Sequence, residues 1–293
     1  MNIGGFHMQR PAYGHVIRGD SPILLATPHT GTALPDVLLA HPAWRPIGGR
    51  LSDPAGVALL AAARERDVTS IAARVHPCVI DLNVALDNRP LSQRLNRTGL
   101  CRTHTSRGEA LYAPGSEPSE AEVEQRVDRY WRPFHAALTD ELLRLRGLHG
   151  NVLLFVSHAS SWLSPYRSDT GAPDCNAGTH QGASCDRRLV AALTEAVQGK
   201  GRSWVVNGKL ADAFAARRYG MPDNGIHVIE VEVAGRWRGE LDMQAHASDT
   251  GDANAAEAGD MHAILDALGA ALGRLPPADA RFDARLVADD PAV

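Results

Sequence analysis

Cysteine is scarce in this chain, and Cys78, Cys101, Cys175 and Cys185 form no Cys-x-x-Cys pair. That argues against a structural zinc site built from four thiolates and points to buried, reduced thiols. Lysine is nearly absent beside abundant arginine, and the formal net charge is only −4. A chain without a strong positive balance is not expected to bind nucleic acid or a membrane surface through charge. No apolar run approaches the roughly 18–20 residues of a membrane span. The stretch Met1 to Gly19 lacks the basic start and continuous apolar core of a signal peptide, so the expected location is cytoplasmic. A Gly-x-Ser-x-Gly nucleophile elbow is missing as well, and Cys185 lies in a glycine-rich stretch without an obvious base. These absences leave a soluble globular enzyme that is not expected to use serine or cysteine as its nucleophile.

The informative positive feature is Pro28-His29-Thr30-Gly31, directly after the apolar run Ile23–Thr27. A short apolar run ending on a polar residue reads as a buried strand that delivers a side chain at its carboxyl end, where open α/β sheets bind ligands. The pattern recurs at Val79–Asn83, at Val152–His158 and at Ile226–Glu232. Four predicted strands thus end on His, Asp/Asn, His and Glu. Two imidazoles with carboxylates nearby suit a catalytic zinc. Further strands are expected at 68–74, 77–82 and 203–206.

Helical patterns fall at 55–66, 186–197, 209–218 and about 260–274. The strongest runs from Ser119 to Arg146, where Ser119 and Glu122 fit a capping box and apolar residues recur at helical spacing. Residues 84–115, 160–185 and 233–259 look irregular, and the tail after Pro276-Pro277 is expected to lie on the surface. Strands alternating with helices predict one α/β domain over residues 1–293, with its core at about 20–275. Its sheet should be mixed, mostly parallel and covered by helices.

The ordered segments Pro28–Gly31, Val79–Asn83, Tyr130–His135, Pro173–Cys185, Arg217–Gly220 and Gly225–Glu232 resemble the N-formylglutamate amidohydrolases. The resemblance spans about residues 22–240. It implies a metal-dependent enzyme with a fold related to zinc carboxypeptidases and aspartoacylases. It implies His29 and His158 as zinc ligands, with Asp53 as the third; Asp53 also suits a helix N-cap, and Asp36 is the next candidate. Glu232 matches the family's glutamate and is the expected general base. Glu230 shares its strand face by alternation. Arg217 and Asn83 match substrate-binding positions, and Arg89 is a candidate replacement for the motif arginine that Val84 displaces. Asp81 is read as a carboxylate orienting a ligand histidine or as a buried Asp satisfied by backbone. His227, His135 and Tyr130 also match the family pattern and are expected to pack or to support the site residues rather than act directly in catalysis.

Pro77, Val84, Val156 and Asp212-Ala213 depart from the family pattern, and they bear mainly on substrate anchoring. The implied reaction is hydrolysis of N-formyl-L-glutamate to formate and glutamate, with a small N-acyl amino acid as substrate, no nucleic-acid or membrane partner, and an oligomeric state the sequence leaves open. The nearest alternative is the same chemistry on another N-acyl amino acid or a carboxypeptidase-like substrate. A non-catalytic descendant that binds a small acid is the alternative from a different class.

Overall fold

The computed structural model describes residues 11–88, 99–105, 108–159, 173–250 and 258–278. Its seven strands are β1 (Gly14–Ile17), β2 (Ile23–Thr27), β3 (Thr69–Ala73), β4 (Val152–Ser157), β5 (Cys175–Gly178), β6 (Trp204–Val206) and β7 (Ile226–Val233). They form one sheet in the order β1-β3-β2-β4-β7-β5-β6. The central four, β3, β2, β4 and β7, are mutually parallel, while β1 and β5 join them antiparallel. The expected mixed, mostly parallel sheet is therefore present.

Strand alternation divides the core into two apolar layers. Leu24, Ala26, Val152, Leu154, Ile226 and Val228 face one layer, and Ile23, Leu25, Leu153, Phe155, Ile229 and Val231 face the other. The first layer is covered by α4 (Arg132–Leu148) through Phe134, Leu138 and Leu142, and by α6 (Phe214–Tyr219) through Ala215 and Ala216. The second is covered by α2 (Pro54–Arg64), α5 (Arg187–Gln198), α7 (Gly235–Thr250) and α8 (Ala258–Leu272). Two short helices complete the set: α1 (Asp36–Leu39) and α3 (Glu120–Arg126).

Several local expectations are corrected. Val79–Leu82 is fully buried but is not a strand. The Val79 N–H turns back to His76 O, and the Asp81 N–H bonds Leu100 O in an irregular segment. Its apolar residues report burial rather than pairing. Residues 209–212 form turns, and only 214–219 are helical. The stretch after β7, expected to be irregular, carries α7. β1 and β5 lie in segments where no strand was expected.

The long helix is interrupted by a π-helical turn at Val127–Trp131, between α3 and α4. Pro133 sits in the first turn of α4 and has no N–H to return, which accounts for the local widening. Ser119 caps α3 as expected, accepting the Glu122 N–H at 3.3 Å. All four cysteines are buried and none is in a disulfide, and no described helix is long and apolar enough to cross a membrane.

α4 also carries a buried imidazole. His135 Nε2 donates to Leu82 O at 3.0 Å, and Nδ1 accepts from the Tyr219 hydroxyl at 2.6 Å. Burial, with help from the Arg218 charge, pushes its pKa down to about 3. The unfolded chain therefore protonates this ring first, so its contribution to stability is present above about pH 6.5 and is lost as pH falls toward about 3. In urea titrations, His135→Phe is expected to be less stable than the parent at pH 7.5. Its stability should also fall less steeply between pH 6.5 and 4.5, by about 1.4 kcal/mol per pH unit.

Candidate active site

The parallel register sets the carboxyl ends of β2, β4 and β7 side by side. His29 follows β2 by two residues, His158 follows β4 directly, and Val156 pairs with Glu230 on β7. Gly31 lets the chain leave β2 closely packed, because a Cβ there would lie 2.1 Å from Val75 O. The two imidazoles meet edge to face with ring centroids 5.8 Å apart. Both are buried.

His29 has a defined tautomer. Its Nδ1 accepts the Ala159 N–H at 3.0 Å, so Nε2 carries the proton and donates it to Asp81 Oδ1 at 2.7 Å. Asp81 also accepts the Asn83 N–H at 2.9 Å, and Arg102 donates to its other oxygen. Burial alone would raise the Asp81 pKa, but His29, Arg102 and the Asn83 amide outweigh it and hold the carboxyl well below its usual range. Asp81 thus orients His29, as one of its two expected readings had it. A carboxylate behind a histidine fixes which ring nitrogen offers its lone pair.

Asp53 opens α2 but makes no side-chain capping bond. Its Oδ2 instead accepts the Ser157 hydroxyl at 2.8 Å, which draws it toward the end of β4. Asp36, the other third-ligand candidate, is exposed at the start of α1. His158 Nε2 lies 3.3 Å from Glu230 Oε2 but has no aligned hydrogen bond, although the atom is buried. Burial would lower the His158 pKa, yet Glu230, Glu232 and Asp53 together push it up to about 9. Positive charge is strongly favoured at this point of the structure.

Glu230 and Glu232 share a strand face as alternation predicts, but their surroundings differ. Glu230 accepts the Ala216 N–H through Oε1 at 2.8 Å and the Asn83 amide through Oε2 at 2.7 Å. These donors and His158 outweigh its burial and lower its pKa. Glu232 is held through Oε1 by Lys209, whose own pKa is lowered by burial despite the pairing. Arg102 and Lys209 were not foreseen. Arg102 lies in a stretch without periodicity, whereas Lys209 could have been noticed as a rare lysine in an arginine-rich chain.

A cleft of about 490 Å³ opens over Asn83, His158 and Glu230, with Arg217 and Asp212 on its wall. His29, Asp53, His158, Asn83, Glu230 and Glu232 therefore gather at one sheet edge with Arg217 beside them. Arg89 lies outside the described residues. His227 sits at the opposite end of β7, where it accepts the Asp186 N–H at 3.3 Å. Among the described residues, no three His, Cys, Asp or Glu side chains are placed to hold a metal ion together. The chemistry of the donors nevertheless fits a divalent metal. Two imidazoles and the Asp53 carboxylate lie at this sheet edge, and a buried His158 nitrogen lacks an aligned hydrogen bond, although both nitrogens of His29 are engaged by Asp81 and Ala159.

A family profile described as N-formylglutamate amidohydrolase matches residues 21–237. The chain belongs to the N-formylglutamate amidohydrolase family. It is 34% identical over 219 residues to an N-formylglutamate deformylase of Pseudomonas aeruginosa, covering 74% of this chain and 82% of that one. A Pseudomonas putida N-formylglutamate deformylase is also 34% identical, over 74% of this chain and 81% of its own length. The fold matches the crystal structure of an N-formylglutamate amidohydrolase from Ralstonia eutropha, with TM-score 0.68 and 22% identity over 89% of this chain and 97% of that one. As a member of this amidohydrolase family, the protein is a hydrolase of amide C–N bonds.

The position of Asp53 depends on Gly56. A Cβ at residue 56 would lie 2.5 Å from Asp53 Oδ2 and 2.7 Å from Thr30 Cγ2. Gly56→Ala is therefore expected to cost roughly 1–3 kcal/mol of unfolding free energy. Gly147, with open space around its Cβ position late in α4, is the control. Gly147→Ala should be neutral or stabilising by up to about 1 kcal/mol in the same urea titration.

Proposed function

We propose that the protein hydrolyses N-formyl-L-glutamate to formate and L-glutamate, using a divalent metal, zinc by preference, held by His29, Asp53 and His158. The observation that supports this most is the joint burial of two imidazoles and several carboxylates at one sheet edge beside an open cleft. The names of the Pseudomonas relatives support the choice of substrate. When bound, the metal would supply a Lewis acid that polarises the formyl carbonyl and makes water more acidic.

The protein groups around it have separate tasks. Asp81, held ionised by His29 and Arg102, accepts the Nε2–H of His29 and fixes the ring; Nδ1, which accepts the Ala159 N–H here, would exchange that bond for the metal. Asp53 is kept near the end of β4 by Ser157. Glu230 has both oxygens committed to Ala216 and Asn83, so it is a framework carboxylate. Glu232 is anchored through Oε1, and its other oxygen takes the proton of the attacking water. It then returns that proton to the nitrogen of the departing amino acid. Lys209 holds the Glu232 carboxylate in place through Oε1. Arg217, with its planar fork, receives a carboxylate of the substrate, and Arg89 is the second candidate for that task.

Glu232→Gln is expected to lower turnover by roughly 10²–10⁴-fold while zinc content, read by elemental analysis, stays near normal. Glu230→Gln should instead lose thermal stability, because it disturbs the contacts with Asn83 and His158. Near-normal turnover in Glu232→Gln would move the base role to another carboxylate. Chelation should abolish formate release and zinc should restore it, whereas His158→Ala should lose both metal and activity. Full activity in metal-free protein would overturn the metal assignment.

A further inference from the structure

The wall of the cleft contains a charge pair that bears on which acyl amino acids enter. Arg217, on α6, is the one Lys or Arg side chain lining the cleft among the described residues, which also include Asp87 and Asp212. Its guanidinium Nη1 lies 3.4 Å from Asp212 Oδ2. The other oxygen of Asp212 lies 3.4 Å from His180 Nδ1. Arg217 and Asp212 are both more than half exposed, so their contact is loose and opens at little cost.

A substrate side chain that approaches Arg217 therefore meets a cation already matched by an anion. A carboxylate must displace Asp212 and then remain within a few Å of it, with Asp87 also on the cleft lining. A carboxamide meets no such conflict. Its oxygen accepts from the guanidinium while its NH₂ donates to Asp212, so both charged groups stay satisfied.

The geometry points to Asp212 as a specificity-determining residue. By holding Arg217, it makes the enzyme accept N-formyl amino acids with a neutral carboxamide side chain at least as well as N-formyl-L-glutamate. This rests on the amidohydrolase reading above and names the substrate class of the same cleft. Asp212 takes no part in moving protons and acts only through Arg217 and the substrate side chain.

The test compares kcat/KM for N-formyl-L-glutamate and N-formyl-L-glutamine in the zinc-loaded parent, Asp212→Ala and Asp212→Asn. The parent is expected to cleave the glutamine derivative as efficiently as the glutamate derivative or better. Both variants should raise the glutamate-to-glutamine ratio by about fivefold to tenfold, mainly through a lower KM for glutamate. A merely structural role would alter both substrates alike and leave the ratio fixed. A parent preference for glutamate of more than about tenfold, or a ratio that both variants leave unchanged, would overturn the proposal.

Calorimetric binding of the two compounds to Glu232→Gln, with and without Asp212→Ala, supplies a readout with little turnover. If neither compound is cleaved, the amidohydrolase reading fails on its own. The shift in relative affinity then still decides the role of Asp212: a fivefold swing toward N-formylglutamate supports it, and no swing overturns it.

Discussion

The site depends on one buried carboxylate. Asp81 is almost without solvent and accepts from His29, Arg102 and the Asn83 backbone at once. A lone carboxylate in that position would be costly to ionise; the surrounding donors make ionisation favourable and tie three separate chain segments to one point. His29 comes from the end of β2, Asn83 from the irregular segment beyond β3, and Arg102 from a loop further on. Asn83 in turn donates to Glu230 on β7. The polar network thus spans the sheet edge across β4, and its members fix one another's orientation more tightly than separate hydrogen bonds would.

The fold was legible where hydrophobic periodicity was strong. The runs at Ile23–Thr27, Val152–Ser157 and Ile226–Val233 are the buried central strands. Alternation placed Glu230 and Glu232 on one face, which the two-layer core supports. Val79–Leu82 misled because a fully buried irregular segment and a buried strand look alike in sequence. β5 was missed because Cys175-Asn176-Ala177-Gly178 has little β propensity. It is held by pairing with β7 and β6, a long-range effect that no local window contains. The helix α7 escaped because its apolar residues, including Trp237 and Leu241, are spread thinly among polar ones.

The site was legible where residues sit at strand ends. His29, His158 and the Glu230/Glu232 pair announce themselves by following apolar runs. Asp53 was reached through family resemblance; the structure adds that its carboxylate turns to Ser157 rather than to the helix it opens. Arg102 and Lys209 gave no local pattern, since each is defined only by the carboxylate it meets across the fold. Electrostatic partners of this kind follow from burial: an ionised Asp81 or Glu232 needs a nearby cation, but the sequence does not say which one.

The segment from Lys209 to Arg217 touches three separate parts of this centre. Lys209 grips Glu232, Asp212 and Arg217 border the cleft, and the Ala216 amide holds Glu230. A chain only a few residues long is thereby pinned at several places with little slack between them. Side chains pointing into the cleft can be exchanged without moving these anchors, whereas inserting or deleting a residue would pull at least one of them out of register. Evolution along this stretch is therefore expected to proceed by substitution at constant length, a constraint on indels imposed by geometry rather than by the chemistry of any one residue.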